Sequence, residues 1–188
     1  IKCYFKNFNM SLSQSTLPSG QNLLHISNDA SAAIISLFGG QLLSWIPSDQ
    51  REVIYVSDLA IFDGETPIRG GIPICWPWFG NVENRQAHGF VRNKVWEVDH
   101  VIDESNYSKV VLNCVHNHPD FEGLLLSIIY EIGETLSIQL VTHNVSPSPF
   151  TITEALHTYL KVSNIADITV DGLSNCKYFD KLTAQFHT

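Results

Sequence analysis

The sequence is poor in charged residues and has no long apolar run. Only 16% of its 188 residues are Asp, Glu, Lys or Arg, against roughly 25% in an average soluble domain. No apolar stretch approaches the ~18 residues of a membrane-spanning helix. No apolar run follows the first lysines, as it would in a secretory signal. Since 44% of the residues are hydrophobic, we predict one globular domain in the cytoplasm, without a membrane partner.

Positive charge is also scarce. The chain has 11 basic and 19 acidic residues, a formal net charge of -8. A negative protein without a basic run is poorly suited to the phosphate backbone of nucleic acids or to an anionic membrane surface. We therefore expect no nucleic-acid partner.

The four cysteines form none of the usual motifs. No C-x-x-C pair is present among Cys3, Cys75, Cys114 and Cys176, and their spacing fits neither a zinc ribbon nor a small disulfide scaffold. In the absence of a secretory signal, we interpret them as free thiols in a reducing compartment.

The apolar pattern lacks helical periodicity. The 3.6-residue repeat fails in every long window, and Pro and Gly interrupt the chain often. Short segments rich in branched and aromatic residues, bounded by Gly, Pro, Asn or Asp, are typical of strands instead. They lie at residues 32–38, 52–56, 110–115, 124–130, 136–143, 151–162 and 168–170. We predict an all-β, antiparallel sandwich or barrel, with residues 131–135 closing a hairpin.

Residues 66–80 are not an ordinary strand. Three glycines, three prolines and three aromatic residues in this stretch indicate a stiff loop with a defined path. Arg69 lies in it, directly before Gly70 and Gly71. Two interpretations remain open, a packed loop with Arg69 in a surface ion pair, or a functional loop that presents Arg69.

A second notable stretch follows at residues 87–93. In an extended conformation, His88, Phe90 and Arg92 share one face. An imidazole and a guanidinium on one face can both reach a single polar ligand.

Three of the four arginines, Arg69, Arg85 and Arg92, lie close together in the sequence. Such clustering in an acidic protein favours a local anion site, because guanidinium groups bind phosphate and carboxylate bidentately. The alternative is that one or two of them brace the loop.

A third stretch contains His157. The alternation of a strand places Leu156, Thr158 and Leu160 on the core face and His157 on the opposite face. A histidine that points away from the core can line a cleft, and its pKa suits proton transfer near neutral pH. An ordinary surface histidine is the alternative.

Together these stretches closely resemble the hexose-6-phosphate mutarotases, the glucose-6-phosphate 1-epimerase branch of the aldose 1-epimerase superfamily. The central motif is Ile-Arg-Gly-Gly-Ile-Pro-Ile-Cys-Trp-Pro-Trp-Phe-Gly. The resemblance runs from about residue 23 to 181. The matching stretches are residues 68–80, 88–93, 96–97, 155–160, 171–173 and 178–181.

The resemblance implies a galactose-mutarotase-like β-supersandwich with a sugar cleft. The implied reaction interconverts the α and β anomers of an aldohexose 6-phosphate, with no cofactor and no metal. His157 would be the acid, and His88 would hydrogen-bond the sugar near its ring oxygen. Arg69 and Arg92 would hold the 6-phosphate, and Trp76 would wall the pocket.

The sequence departs from this family in length. We interpret residues 1–22 as an N-terminal extension or a remnant of expression, and residues 23–188 as a partial mutarotase-like sandwich without its C-terminal third. The family's general base is a glutamate in that third. If this chain is active alone, Asp63 and Glu65 are the first candidates for the base.

The same departure implies that the chain alone is a very poor mutarotase. Unpaired strand edges would be exposed. The chain would then aggregate, exchange strands with a second copy or bind a separate C-terminal segment.

Two other functions remain open. The first is a non-catalytic sugar-phosphate binder on the same fold, without the base. The second is a metal-binding cupin barrel, since His116, His118 and Glu122 fit the H-x-H-x₃-E pattern of that motif. The cupin motif's preceding glycine is replaced by Val110.

Overall fold

The computed structural model describes residues 11–180 and 182–188, and over these residues it is almost entirely β. The regular helical structure in them consists of three short 3₁₀ turns, Val91–Asn93, Pro119–Phe121 and Ile165–Asp167. The strands are β1 (Ser11–Thr16), β2 (Asn22–Asn28), β3 (Ser31–Ser36), β4 (Gln41–Pro47), β5 (Ile74–Cys75), β6 (Glu97–Glu104), β7 (Tyr107–Cys114), β8 (Leu124–Ile132), β9 (Leu136–Asn144), β10 (Ala155–Leu156), β11 (Tyr178–Asp180) and β12 (Gln185–His187). The predicted all-β class is confirmed.

The strands form two four-stranded antiparallel sheets and two short pairs. The first sheet has the order β1-β2-β3-β4 and the second the order β6-β7-β8-β9. β5 pairs with β10, and β11 pairs with β12. The predicted hairpin is β8–β9, whose pairing ends at Ile132 opposite Leu136. No helix in the described ranges is long and apolar enough to cross a membrane.

The main core lies between the two four-stranded sheets. β8 shows the alternation that produces it, because every second side chain of this strand is buried and the others are at least partly exposed. The buried set is Leu124, Leu126, Ile128, Tyr130 and Ile132. β3 is buried on both faces. Ile35 joins the main core, while Ile34 joins a second cluster that includes Ile68. This second cluster thus anchors Ile68, the residue directly before Arg69.

The turn between β3 and β4 is enclosed by two aromatic side chains. Gly40 has a φ of +59°, and a Cβ there would lie 2.6 Å from the indole of Trp96. The hydroxyl of Tyr130 donates a 2.6 Å hydrogen bond to the Gly40 carbonyl, and burial raises the pKa of this tyrosine. Only glycine fits this position, so the turn is fixed between the sheets.

β1 lies within the predicted N-terminal extension, residues 1–22, and pairs along its whole length with β2. The structure differs from the predicted strands in three places. The predicted strand at 151–162 is reduced to Ala155–Leu156. Residues 52–56 form only isolated bridges, at Ile54 and Val56, and residues 168–170 are not a strand. Branched and apolar residues are present in these segments, but a strand also needs a partner along its full length.

Asn28, at the end of β2, ties the first sheet to the second. It is fully buried, and its Nδ2 donates 3.0 Å hydrogen bonds to Ser108 Oγ and to the Ile132 carbonyl. Its Oδ1 accepts from the backbone N–H groups of Ala30 and Ser31. The Asn28 side chain therefore satisfies two backbone N–H groups of the β2–β3 turn and joins this turn to β7 and β8.

We predict that Asn28→Ala lowers the free energy of unfolding by about 2–4 kcal/mol, because several buried polar groups lose their partners at once. Urea denaturation measures the change. The matched control is Asn113→Ala, whose side chain bonds Asp99 on the exposed face of the second sheet. That variant should lose less than about 1 kcal/mol. Equal losses would contradict the role given to Asn28.

Candidate functional site

Two histidines that are distant in sequence lie together. The ring centroids of His88 and His157 are 6.1 Å apart, with an interplanar angle of 80°. Phe79 contacts both, at 5.1 Å from His88 and 6.3 Å from His157. Tyr159 stacks on His157 at 4.9 Å. His157 is exposed and His88 half-buried, so the pair faces solvent beside two aromatic rings.

His88 is positioned by the loop that precedes it. Its backbone N–H donates to the Gly80 carbonyl at 2.8 Å, and its Nδ1 accepts from the Gly80 N–H at 3.2 Å. In a neutral imidazole, an accepting Nδ1 leaves the proton on Nε2. The hydrogen-bond network therefore assigns His88 a donor at Nε2.

Gly89 makes this placement possible. It forms a parallel bridge with Trp76, and the Phe90 N–H donates to the Trp76 carbonyl. A Cβ on Gly89, whose φ is +71°, would lie 1.8 Å from the Trp76 carbonyl oxygen. No other residue allows so close an approach of the two backbones.

His157 follows the short pair of β5 and β10. Its backbone N–H donates to the Pro73 carbonyl at 3.0 Å, and the Tyr159 N–H donates to the Gly71 carbonyl at 2.9 Å. The proline-rich loop thus serves as the partner strand of the His157 segment. The same loop bears Arg69, Phe79 and Gly80, which explains how one stretch contacts both histidines.

Arg92 lies next to the His88 segment. Its Nη2 donates a 2.7 Å hydrogen bond to the carbonyl of Ala87, and its Nε is buried without a hydrogen-bond partner among the described residues. The side chain is half-buried. Its charge also acts on the buried thiol of Cys75, whose pKa is raised by burial and partly lowered again by Arg92.

Arg69 is exposed on the same loop. It precedes Pro73, the partner of His157, by four residues, which span at most about 14 Å of chain. Neither Arg69 nor Arg92 forms an ion pair with a carboxylate in the described part of the chain, whereas Arg85 pairs with Asp120 at 2.9 Å. The surface ion pair considered for Arg69 is therefore not observed in these residues.

Trp76, which we expected to wall the pocket, lies in the core. Its side chain is fully buried, packs against Phe90 and Phe121, and donates from Nε1 to Thr142 Oγ1 at 3.0 Å. It belongs to the core and does not wall an open pocket. The exposed ring beside the histidines is Phe79, which is 40% exposed. Its place in the same aromatic loop was the only sequence signal for it.

Asp63 is used within its own turn. Its Oδ1 accepts from the backbone N–H groups of Glu65 and Thr66, and its Oδ2 accepts from the Thr66 hydroxyl. These hydrogen bonds lower the pKa of Asp63 to about 2, and the bond from the Thr66 N–H has the largest effect. So low a pKa makes it a weak base, and its hydrogen bonds give it a structural role.

The cupin-like motif lies inside an aromatic cluster. His116 contacts Trp76 and Phe90, and burial lowers its pKa. His118 stacks on Phe90 at 4.7 Å. In the part of the chain that the structure describes, no three His, Cys, Asp or Glu side chains are placed to hold a metal ion. The geometry does not support the cupin alternative.

The family model described as aldose 1-epimerase matches residues 22–186. This match covers most of the chain, which therefore belongs to the aldose 1-epimerase family.

Two curated relatives have the same provisional name, glucose-6-phosphate 1-epimerase. The protein from Escherichia coli K12 is 31% identical over 167 residues, which cover 86% of this chain and 55% of the relative. The protein from Cenchrus ciliaris is 34% identical over 166 residues, covering 81% and 50%. The chain thus spans about half the length of the curated relatives it matches.

Solved structures show the same fold. A protein from Salmonella typhimurium, provisionally assigned as a mutarotase, matches with a TM-score of 0.83 and 29% sequence identity. The aligned part covers 96% of this chain and 63% of the Salmonella chain. A galactose mutarotase-like protein from Clostridium acetobutylicum matches with a TM-score of 0.53 and 15% identity, and the aligned part covers 71% of this chain and 49% of the Clostridium chain. The predicted galactose-mutarotase-like architecture is confirmed.

We predict that Gly89→Ala lowers the free energy of unfolding by about 3 kcal/mol or more, because the added Cβ would overlap the Trp76 carbonyl. Gly20→Ala is the control, since Gly20 has a similar φ of +84° but nothing within 4 Å of its added Cβ. That variant should lose only about 1–2 kcal/mol, the cost of placing an alanine at a positive φ. Thermal or urea unfolding measures both. Equal losses would show that the contact at Gly89 is not tight.

Proposed function

We propose that this protein binds an aldohexose 6-phosphate and interconverts its α and β anomers. The observation that carries the proposal is the pair formed by His88 and His157, with ring centroids 6.1 Å apart. The backbone segments that position these histidines also bear Arg69 and Arg92, which form no ion pair in the described residues. The family membership and the provisional names of the relatives support it.

The two histidines fit the acid side of anomer exchange, one as the proton donor and the other as an orienting donor. Opening the sugar ring needs an acid that protonates the ring oxygen and a base that removes the proton from the C1 hydroxyl. After rotation about the C1–C2 bond, the ring closes to the other anomer. We assign the acid to His157, which is exposed and stacked on Tyr159. His88 donates from Nε2 to an oxygen of the sugar and orients it.

The arginines would hold the phosphate. In a protein with a net charge of -8, an anionic ligand needs a local positive site to overcome repulsion. Arg92 is half-buried, donates to the carbonyl of Ala87 and has no carboxylate partner among the described residues. Arg69 extends from the loop that also positions His157. Phe79 offers an apolar ring against which a sugar face can pack.

A non-catalytic sugar-phosphate binder is the second candidate. It would use the same arginines and histidines without a base, and the weak basicity of Asp63 in its turn favours this outcome for residues 1–188 alone. Measurements of binding and of anomer exchange separate the two functions.

We predict that Arg69→Ala and Arg92→Ala each weaken the binding of glucose 6-phosphate by about tenfold or more and leave the binding of glucose nearly unchanged. Charge-assisted contacts contribute roughly 1.5–3 kcal/mol each. Isothermal titration calorimetry with both sugars measures the effect. Arg51→Ala is the control, because Arg51 lies outside the cluster on an exposed part of the chain. Equal losses for both sugars would show that the arginines are structural.

We predict that His157→Asn lowers the rate of anomer exchange of glucose 6-phosphate by roughly 10²–10⁴-fold while it preserves binding. Exchange NMR against the spontaneous rate measures this in the natural gene product. Residues 1–188 taken alone should bind with little exchange if the base lies outside them. A full exchange rate in His157→Asn would refute the assignment of the acid.

A further inference from the structure

Gln41 contacts the backbone on both sides of Arg69. This glutamine is the first residue of β4 and is only 2% exposed. Its Nε2 donates to the Gly70 carbonyl and lies 3.5 Å from the Ile68 carbonyl oxygen. The two acceptors therefore flank Arg69, and one buried amide can hold the path of the chain through this residue.

The loop also leaves little freedom around that amide. A Cβ on Gly71 would lie 2.8 Å from Gln41 Nε2 and 2.4 Å from the Leu42 carbonyl oxygen. The Ile72 N–H donates to the same Leu42 carbonyl at 2.9 Å. The loop thus packs directly on the start of β4, and the arginine-bearing segment moves only if β4 moves.

Gly39, in the same turn, contacts the backbone of the second arginine. Its N–H donates to the Lys94 carbonyl at 2.7 Å, and a Cβ there would lie 3.0 Å from the Arg92 carbonyl oxygen. Gly40 between them is enclosed by Trp96 and bonded by Tyr130. Residues 39–41 therefore touch both arginine segments from one fixed turn.

We propose that residues 39–41, here named the spacing turn, set the separation of the Arg69 and Arg92 guanidinium groups and so select phosphorylated over free sugars. Gln41 is the positioning residue for Arg69. This inference rests on the proposed phosphate-binding role of the two arginines and adds the element that aligns them. Such alignment matters because bidentate recognition of phosphate depends on donor geometry as well as on charge.

The test is Gln41→Met, which keeps the length and apolar volume of the side chain and removes both N–H donors. We expect the dissociation constant of glucose 6-phosphate to rise about tenfold and that of glucose to stay unchanged, measured by isothermal titration calorimetry. Gln41→Glu is a second variant of the same shape, whose carboxylate cannot donate to the two carbonyls. It should show at least the same loss.

Gln21→Met is the matched control. Gln21 is also buried, at 5% exposure, but its amide atoms have no hydrogen-bond partner among the described residues. The same chemical change there should leave the affinity for glucose 6-phosphate unchanged.

A double-mutant cycle separates positioning from a merely structural role. If Gln41 acts through Arg69, Gln41→Met should have no further effect on glucose 6-phosphate in the Arg69→Ala background. Additive losses, or an equal loss for free glucose, would overturn the proposal.

The outcomes also distinguish this inference from the proposed function. If Arg69→Ala weakens binding of glucose 6-phosphate but Gln41→Met does not, the inference fails and the phosphate site stands. If Arg69→Ala has no effect, the phosphate site itself is wrong, and the spacing turn has no arginine pair to align.

Discussion

Close contact between two backbones at Gly89 positions the candidate site. The segment that bears His88 lies so near the Trp76 carbonyl that no Cβ fits between them. The loop that contains Trp76 also contributes the Pro73 and Gly71 carbonyls, which bind the His157 segment. Both histidines are therefore fixed to a single loop, and their separation depends on one glycine and on four backbone hydrogen bonds between this loop and the two histidine segments.

The same physical solution recurs where the sheets meet the loop. Gly40 lies against the Trp96 ring, and Gly71 lies against the start of β4. At both glycines the absence of a side chain lets the backbone contact its neighbour directly. Close-packed interiors tolerate little displacement. Large aromatic side chains such as Trp76 and Tyr130 fill the core behind these contacts. The exposed side chains of the candidate site are thereby held on a close-packed core.

Charge is used sparingly in this fold. Arg85 and Lys109 form ion pairs on the surface, where such pairs add little stability. Arg69 and Arg92 have no such partner in the described residues, although acidic side chains are in excess. A guanidinium without a carboxylate partner keeps its positive charge uncompensated, which favours the recognition of an anion.

The sequence by itself determined the all-β class and the β8–β9 hairpin, because alternation and turn residues are local properties. It also singled out Arg69, His88, Arg92 and His157, whose roles stay predictions. Tertiary structure alone decided that Trp76 is buried, because burial depends on which elements cover a side chain. It also decided that residues 151–162 form only a short strand, because a strand needs a partner from elsewhere in the chain. The proximity of the two histidines likewise arises from a backbone contact between segments, which local sequence patterns do not encode.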